Sequence, residues 1–183
     1  MPLPTLAGPR VRLRWLELDD AGDVYRVFSD ASVVRYWSST LFESEEKAVA
    51  LIEDIHRHFE AGTLYQWGIA DQENRIIGTC TLAGIHRDNG RAEIGFALTS
   101  KRWGEGLASE AVALVLRHAF EDLGLHRIEA DVDPLNDRSL RLLERIGFRK
   151  EGYLRERWRI GGGVQDSILL GLLRREWVYR PTG

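Results

Sequence analysis

A mixed α/β chain of the α+β kind is the predicted fold class, with about seven strands in a mostly antiparallel sheet and four helices. Three observations predict it. Alternating apolar and polar runs follow one another with short connections, as in an antiparallel meander. Four stretches carry helix signals, and three of these end on a glycine, Gly62, Gly124 or Gly147. The two patterns are interleaved along the chain rather than segregated into halves. With 183 residues and 44% hydrophobic content, residues 1–183 are expected to form a single domain with one full core.

The elements follow in order. Val11 to Leu16 alternates like a half-buried strand, and Asp19 or Asp20 can cap a helix through about Phe28. Ser29 to Thr40 is turn-rich but carries Tyr36 and Trp37. Ser44 opens a second helix, with Ala48, Leu51, Ile52, Ile55 and Phe59 at helical spacing. Three strands are predicted next: Tyr65 to Ala70, Arg75 to Ile85, and Arg91 to Thr99, separated by turns at 71–74 and 86–90. A long helix runs from about Gly106 to Leu123. A fifth strand, Arg127 to Val132, ends at Asp133-Pro134. Asn136 or Asp137 caps a fourth helix to about Ile146. Two last strands, Phe148 to Ile160 and Val164 to Leu173, are joined by three glycines.

Composition excludes several functions. The formal net charge of −3 gives no general attraction to nucleic acid or anionic lipid. No apolar stretch has the length of a membrane span, and no leader pattern opens the chain. One cysteine, Cys80, permits no internal disulfide and fits a reducing, cytoplasmic setting; its alternating context predicts a buried small hydrophobe. His56 and His58 lie on different helix faces, and no paired-cysteine or His-Glu-x-x-His motif exists, so no metal is expected.

The residues richest in chemical meaning are Lys101-Arg102-Trp103-Gly104-Glu105-Gly106-Leu107-Ala108. They carry the chain from a strand into the longest helix. Glycines allow close backbone approach to an anion, and the unpaired N–H groups of a first helical turn point at it. A phosphate-bearing ligand is therefore expected. A Walker loop would need Gly-Lys-Ser/Thr, which is missing. A dinucleotide fingerprint would need a third glycine, where Ser109 stands, and parallel βαβ units in place of a meander.

The same residues resemble the GNAT superfamily of N-acetyltransferases, whose signature is Gln/Arg-x-x-Gly-x-Gly/Ala; Lys101 takes the first place here. Asn136 to Phe148 resembles that family's Asn-x-x-Ser/Ala-x-x-Leu-x-x-x-x-Gly-Phe helix. Gly8 to Arg14, Ala92 to Phe96 and Leu107 to Ala111 are similar to the RimJ/RimL-like branch, which acetylates N-terminal amines of ribosomal proteins. The resemblance implies a GNAT fold splayed between strands four and five, and acetyl-CoA as cosubstrate.

It also implies residue roles. The backbone of Arg102, Trp103, Gly104, Glu105, Gly106, Leu107 and Ala108 would hold the coenzyme pyrophosphate, with the Glu105 side chain turned away. Phe96, Ala97 and Leu98 would flank the pantetheine arm. Asn136 matches a coenzyme-contacting position and is equally a helix cap. Leu143 stands where many members carry a thiolate-protonating Tyr. Ser139 matches a serine of the ribosomal branch, where a hydroxyl stabilises the thiolate; as an ordinary first-turn serine it needs no such role. Glu93 matches an acidic strand-four position and is the first candidate base. Trp158 stands where the branch can place a Glu, and Glu156, two residues earlier, is a substitute by strand alternation.

Tyr36 and Trp37, with Tyr153, are candidates to line the acceptor pocket, the alternative being plain core packing. Arg138, Arg141 and Arg145 share a helix face, either solvated or touching the adenosine phosphates. The implied partners are coenzyme A and an amine acceptor, a peptide N-terminus or a small amine, with a homodimer left open. The competing reading is an acyl-CoA-binding module without catalysis.

Overall fold

Alternation along the central strands sorts their side chains between two helical layers. The computed structural model describes residues 3–37 and 40–179. Its sheet has eight strands. They are β1 (Leu6–Ala7), β2 (Arg12–Arg14), β3 (Leu64–Ala70), β4 (Ile76–His86), β5 (Arg91–Leu98), β6 (Arg127–Val132), β7 (Arg149–Ile160) and β8 (Gly163–Leu173). Their spatial order is β1-β2-β3-β4-β5-β6-β8-β7, and every neighbouring pair is antiparallel except β5 and β6. The seven predicted strands are all present. The addition is β1, a two-residue edge strand too short for a periodic signal.

Among the described residues there are five α-helices: α1 (Ala21–Phe28), α2 (Ala31–Val34), α3 (Glu45–Glu60), α4 (Leu107–Arg117, continued by a π-turn over His118–Asp122) and α5 (Asp137–Ile146). The unexpected one is α2, a single turn inside the turn-rich stretch. Asp30 caps it by accepting a hydrogen bond from the Ser32 N–H at 2.9 Å.

On β5, Ala92, Ile94 and Leu98 join the buried cluster beneath α4 and α5, with Leu107, Val112, Val115, Leu140 and Leu143. Ala97 belongs to the opposite cluster, with Val24, Phe28, Ile52 and Ile55 of α1 and α3. One face of the sheet thus carries α4 and α5, and the other carries α1 and α3. Each large apolar side chain buried this way contributes roughly 1.5–3 kcal/mol. Cys80 is fully buried in the first cluster, and burial pushes its thiol up to about 12, so it packs as a hydrophobe. Among the described residues, no helix is long and apolar enough to cross a membrane, and no cluster of His, Cys, Asp or Glu could hold a metal.

Candidate active site

The parallel β5–β6 ladder is short. It pairs Arg91 with Arg127, Ala92 with Ile128 and Glu93 with Glu129, and then stops. Each strand continues on its outer edge, Ile94 to Leu98 against β4 and Ala130 to Val132 against β8. The two strands therefore splay, as expected between the fourth and fifth predicted strands. Their facing edges line a cleft of about 1610 Å3, with Ile94 to Leu98 on one wall and Ala130 to Asp133 on the other. Backbone groups on the inner edges are left to hydrogen-bond a guest.

The glycine turn closes one end of the cleft. Gly104 and Gly106 have φ of 84° and 80°, a left-handed backbone that an L side chain adopts only at a cost. Gly106 is the N-cap of α4, so the N–H groups of Leu107, Ala108 and Ser109 have no intrahelical acceptor and carry the positive end of the helix dipole. The predicted cradle is narrower than the sequence suggested. The Arg102 and Trp103 N–H groups already donate to the Thr99 and Ser100 carbonyls at 3.1 and 3.2 Å. A 3₁₀ turn consumes them, and the free donors begin at Gly104 and extend to Ser109. The Glu105 carboxylate turns to Arg102 Nε at 3.0 Å, away from the cradle, as electrostatics requires.

Trp103 and Arg102 contribute side chains instead. The Trp103 indole N–H donates to the Leu98 carbonyl at 2.8 Å, and Arg138 stacks over its ring at 4.5 Å. From α5, Arg138, Arg141 and Arg145 all line the cleft, together with Asp137, which pairs with Arg141 at 3.8 Å, and Glu144. The Asn136 side chain caps α5 by accepting from the Ser139 N–H at 3.2 Å. Its amide N–H groups stay available. Ser139 is half-buried on the cleft wall, one turn before Leu143, whose fully buried side chain belongs to the core.

On the other side the cleft is lined by α2 and the residues that follow it, Ser32 to Trp37. Trp37 packs against Phe28, its ring tip 4.0 Å from where a Gly95 Cβ would stand, and Tyr36 lines the same wall. Glu93 lies on this face, two residues from Gly95 along β5. Glu93 is exposed and does not itself line the cleft, although its surroundings withhold part of its hydration. This desolvation raises its pKa, as do the nearby Asp131 and Glu129 charges, while Arg157 opposes them. Glu129 is held by Arg91 at 3.0 Å and Arg127 at 2.8 Å, and Asp131 by Arg157 at 3.5 Å. Among the described residues, no cation pairs with Glu93 itself.

Two predicted residues are not brought here. Tyr153 pairs with Ile168, which packs on the α4–α5 side, so it lies on the sheet face opposite Trp37; its hydroxyl donates to Asp166. Glu156 sits in a bulge of β7, where the register shifts between Leu154 and Trp158, and its φ is 52°. Two-residue alternation does not hold across such a bulge, which removes the reason for equating it with position 158. Sequence reasoning also passed over Asp131, Arg10 and Ser109, all on the cleft lining. An alternating acidic strand, Glu129-x-Asp131, was the one visible signal.

A model of the family described as "Acetyltransferase (GNAT) domain" matches residues 10–149. The chain belongs to the GNAT acetyltransferase family. It is 38% identical to the uncharacterised N-acetyltransferase p20 of Bacillus licheniformis over 176 residues, covering 96% of this chain and 99% of that protein. It is 32% identical to the [ribosomal protein uS5]-alanine N-acetyltransferase of Escherichia coli K12, over 70% of this chain and 66% of that enzyme. Among solved structures, the Vibrio cholerae spermidine N-acetyltransferase in complex with CoA and spermine superposes with a TM-score of 0.80 at 26% identity, covering 91% of this chain and 96% of that one. As a GNAT protein the chain is an enzyme, an acyltransferase, and its splayed strands and glycine turn are the family's architecture.

Proposed function

We propose that this protein transfers an acetyl group from acetyl-CoA to a primary amine by direct attack in a ternary complex. The observation that carries the reading is the end of the β5–β6 ladder at Glu93. From there one cleft opens toward the free N–H groups at Gly104–Ser109, and the Glu93 carboxylate stands at the step where the ladder ends, next to the lining residue Ile94. The cradle and the α5 arginines fit a pyrophosphate and adenosine phosphates, and the β5 edge around Phe96, short of the Leu98 carbonyl that Trp103 takes, fits the amides of a pantetheine arm. Bound there, acetyl-CoA would supply an activated thioester acetyl.

The chain's own residues do the rest. Glu93, with its raised pKa, accepts the proton that the acceptor ammonium sheds, directly or through a water. The β5 N–H groups in the splay polarise an acyl carbonyl, and the Ser139 hydroxyl donates to a departing thiolate. Tyr36 and Trp37 form the acceptor wall, and Asn136 supports the coenzyme from α5. Residues 1–183 act as one catalytic unit in the cytoplasm, a setting that the lone, buried Cys80 suits.

The acceptor is most simply a peptide N-terminus: the 32% relative acetylates alanine of ribosomal protein uS5, and an α-ammonium suits the Glu93 carboxylate, whose neighbours Glu129 and Asp131 are already paired with arginines. A small amine is the second reading, favoured by the same carboxylate and by the spermine-bound neighbour. Thiol release from acetyl-CoA, measured against peptides with free or blocked α-amines and against polyamines, separates the two. Turnover that disappears when the α-amine is blocked supports the first. Turnover on polyamines alone supports the second. Binding of CoA with no release on any amine would overturn catalysis in favour of an acyl-CoA-binding module.

A further inference from the structure

Arg10 reaches the glycine turn from the opposite end of the chain. It lies in the loop between β1 and β2, and its Nη1 donates to the Glu105 carbonyl at 2.7 Å. Its Nε donates to Glu110 Oε2 at 2.9 Å, and Glu110, on the first turns of α4, is almost fully buried. The other Glu110 oxygen accepts from the backbone N–H groups of Arg10 and Val11 at 2.8 and 3.1 Å. Arg10 Nη2 sits 3.4 Å from where a Cβ on Gly106 would stand, an ordinary contact that places the guanidinium directly against the turn.

The geometry has a consequence for the cradle. In a planar trans peptide, the carbonyl and the following N–H point in opposite directions. Fixing the Glu105 carbonyl on Arg10 aims the Gly106 N–H away from the guanidinium and holds it in one direction. Gly104 and Gly106 lack side chains to hold the loop, so an external tether is what keeps it preorganised.

We propose that Arg10 is a positioning residue for the phosphate cradle: its forked guanidinium clamps the Glu105 carbonyl to Glu110 and so presents the Gly106 N–H to a diphosphate. The proposal rests on the coenzyme reading above. It concerns the diphosphate end of that ligand, and a lysine cannot replace the two-point fork.

The test is a comparison of two ligands that differ in the phosphates. Dissociation constants are measured for CoA by calorimetry and for pantetheine by ligand-observed NMR, on the wild type, Arg10→Gln and Arg10→Lys. Loss of one charge-assisted hydrogen bond network predicts CoA binding weakened about tenfold or more in Arg10→Gln, with pantetheine binding within about twofold of wild type. Arg10→Lys is expected to recover only part of the loss. If Arg10→Gln does not fold, the same selective loss is read in Arg10→Lys. Equal losses on both ligands would mean a general structural role, and full rescue by lysine would mean charge alone; either overturns the clamp. A wild type that binds pantetheine but not CoA also overturns it, and one that binds neither overturns the coenzyme reading beneath it.

Discussion

Glu93 and Glu129 stand opposite each other at the last paired step of the parallel β5–β6 ladder. Two carboxylates side by side repel, and the arrangement gives them unequal partners. Arg91 and Arg127 both serve Glu129. Glu93 is left at the end of the ladder, next to the cleft-lining Ile94, with its pKa raised by partial burial and by the Asp131 and Glu129 charges. The step where pairing ends is therefore also the step where a basic carboxylate becomes available.

This sets a pH dependence. A group whose pKa is raised holds its proton to higher pH, so it works as a base only above that raised value. The acidic limb of kcat/KM should lie above the ordinary glutamate range, with activity lost as pH falls through it. Glu93→Gln should lower kcat/KM by about 10²–10⁴-fold and flatten that limb. A rate within about threefold of wild type, with the limb unmoved, would remove Glu93 from the chemistry.

Trp37 should act on the acceptor side alone. Its contact over Gly95 predicts that Trp37→Ala raises the KM for the amine by roughly 2- to 30-fold while the KM for acetyl-CoA stays near wild type. Steady-state kinetics with each substrate varied in turn checks this. A matching rise in both would mean that Trp37 supports the fold, through its packing on Phe28, and not the pocket.

Arg138 should act on the coenzyme side. Stacked on Trp103 at the cleft rim, it places a guanidinium near the phosphate end. Arg138→Ala is expected to weaken CoA about tenfold at low ionic strength, and less in high salt, where screening already weakens the wild type. Calorimetric titrations at two salt concentrations decide it. A loss independent of salt would assign Arg138 to packing.

Asp20 should govern part of the acid stability. Arg14 grips it with two bonds of 2.8 Å, tying β2 to the start of α1. Burial pushes the Asp20 pKa up, but the Arg14 bonds and the Glu17 N–H more than offset this, so its net shift is downward. A carboxylate with a lowered folded-state pKa stabilises the protein above its unfolded value, and that stability fades as pH falls through the folded value. Asp20→Asn should cost about 1.5–3 kcal/mol near neutral pH and nearly nothing in strong acid. Urea melts across that range would show it, and a cost constant with pH would contradict the ion pair.

Much of the fold could be read from the chain because its signals are local. The strand over Arg91 to Thr99 was legible from its own residues, and the glycines at 104, 106 and 147 marked a cradle and a helix stop. All three are in the left-handed region. The candidate site was less legible wherever a residue's role depends on its register or on a distant neighbour. Glu156 was placed by counting by twos, and a bulge made that count fail. Tyr153 is aromatic like Trp37 but faces the other layer. Arg102 and Trp103 belong to the motif, yet a 3₁₀ turn takes their N–H groups.

The sequence by itself determined the element types, the glycine turn and the family resemblance, because propensity, capping and backbone freedom are properties of a few adjacent residues. The tertiary structure decided where the β5–β6 ladder stops, which carboxylate is left unpaired and which arginine reaches the turn. These depend on contacts such as Arg10 with Glu105 and Glu93 with Glu129, between residues far apart in the chain. No local pattern encodes such contacts, since they exist only after the sheet has brought its strands together.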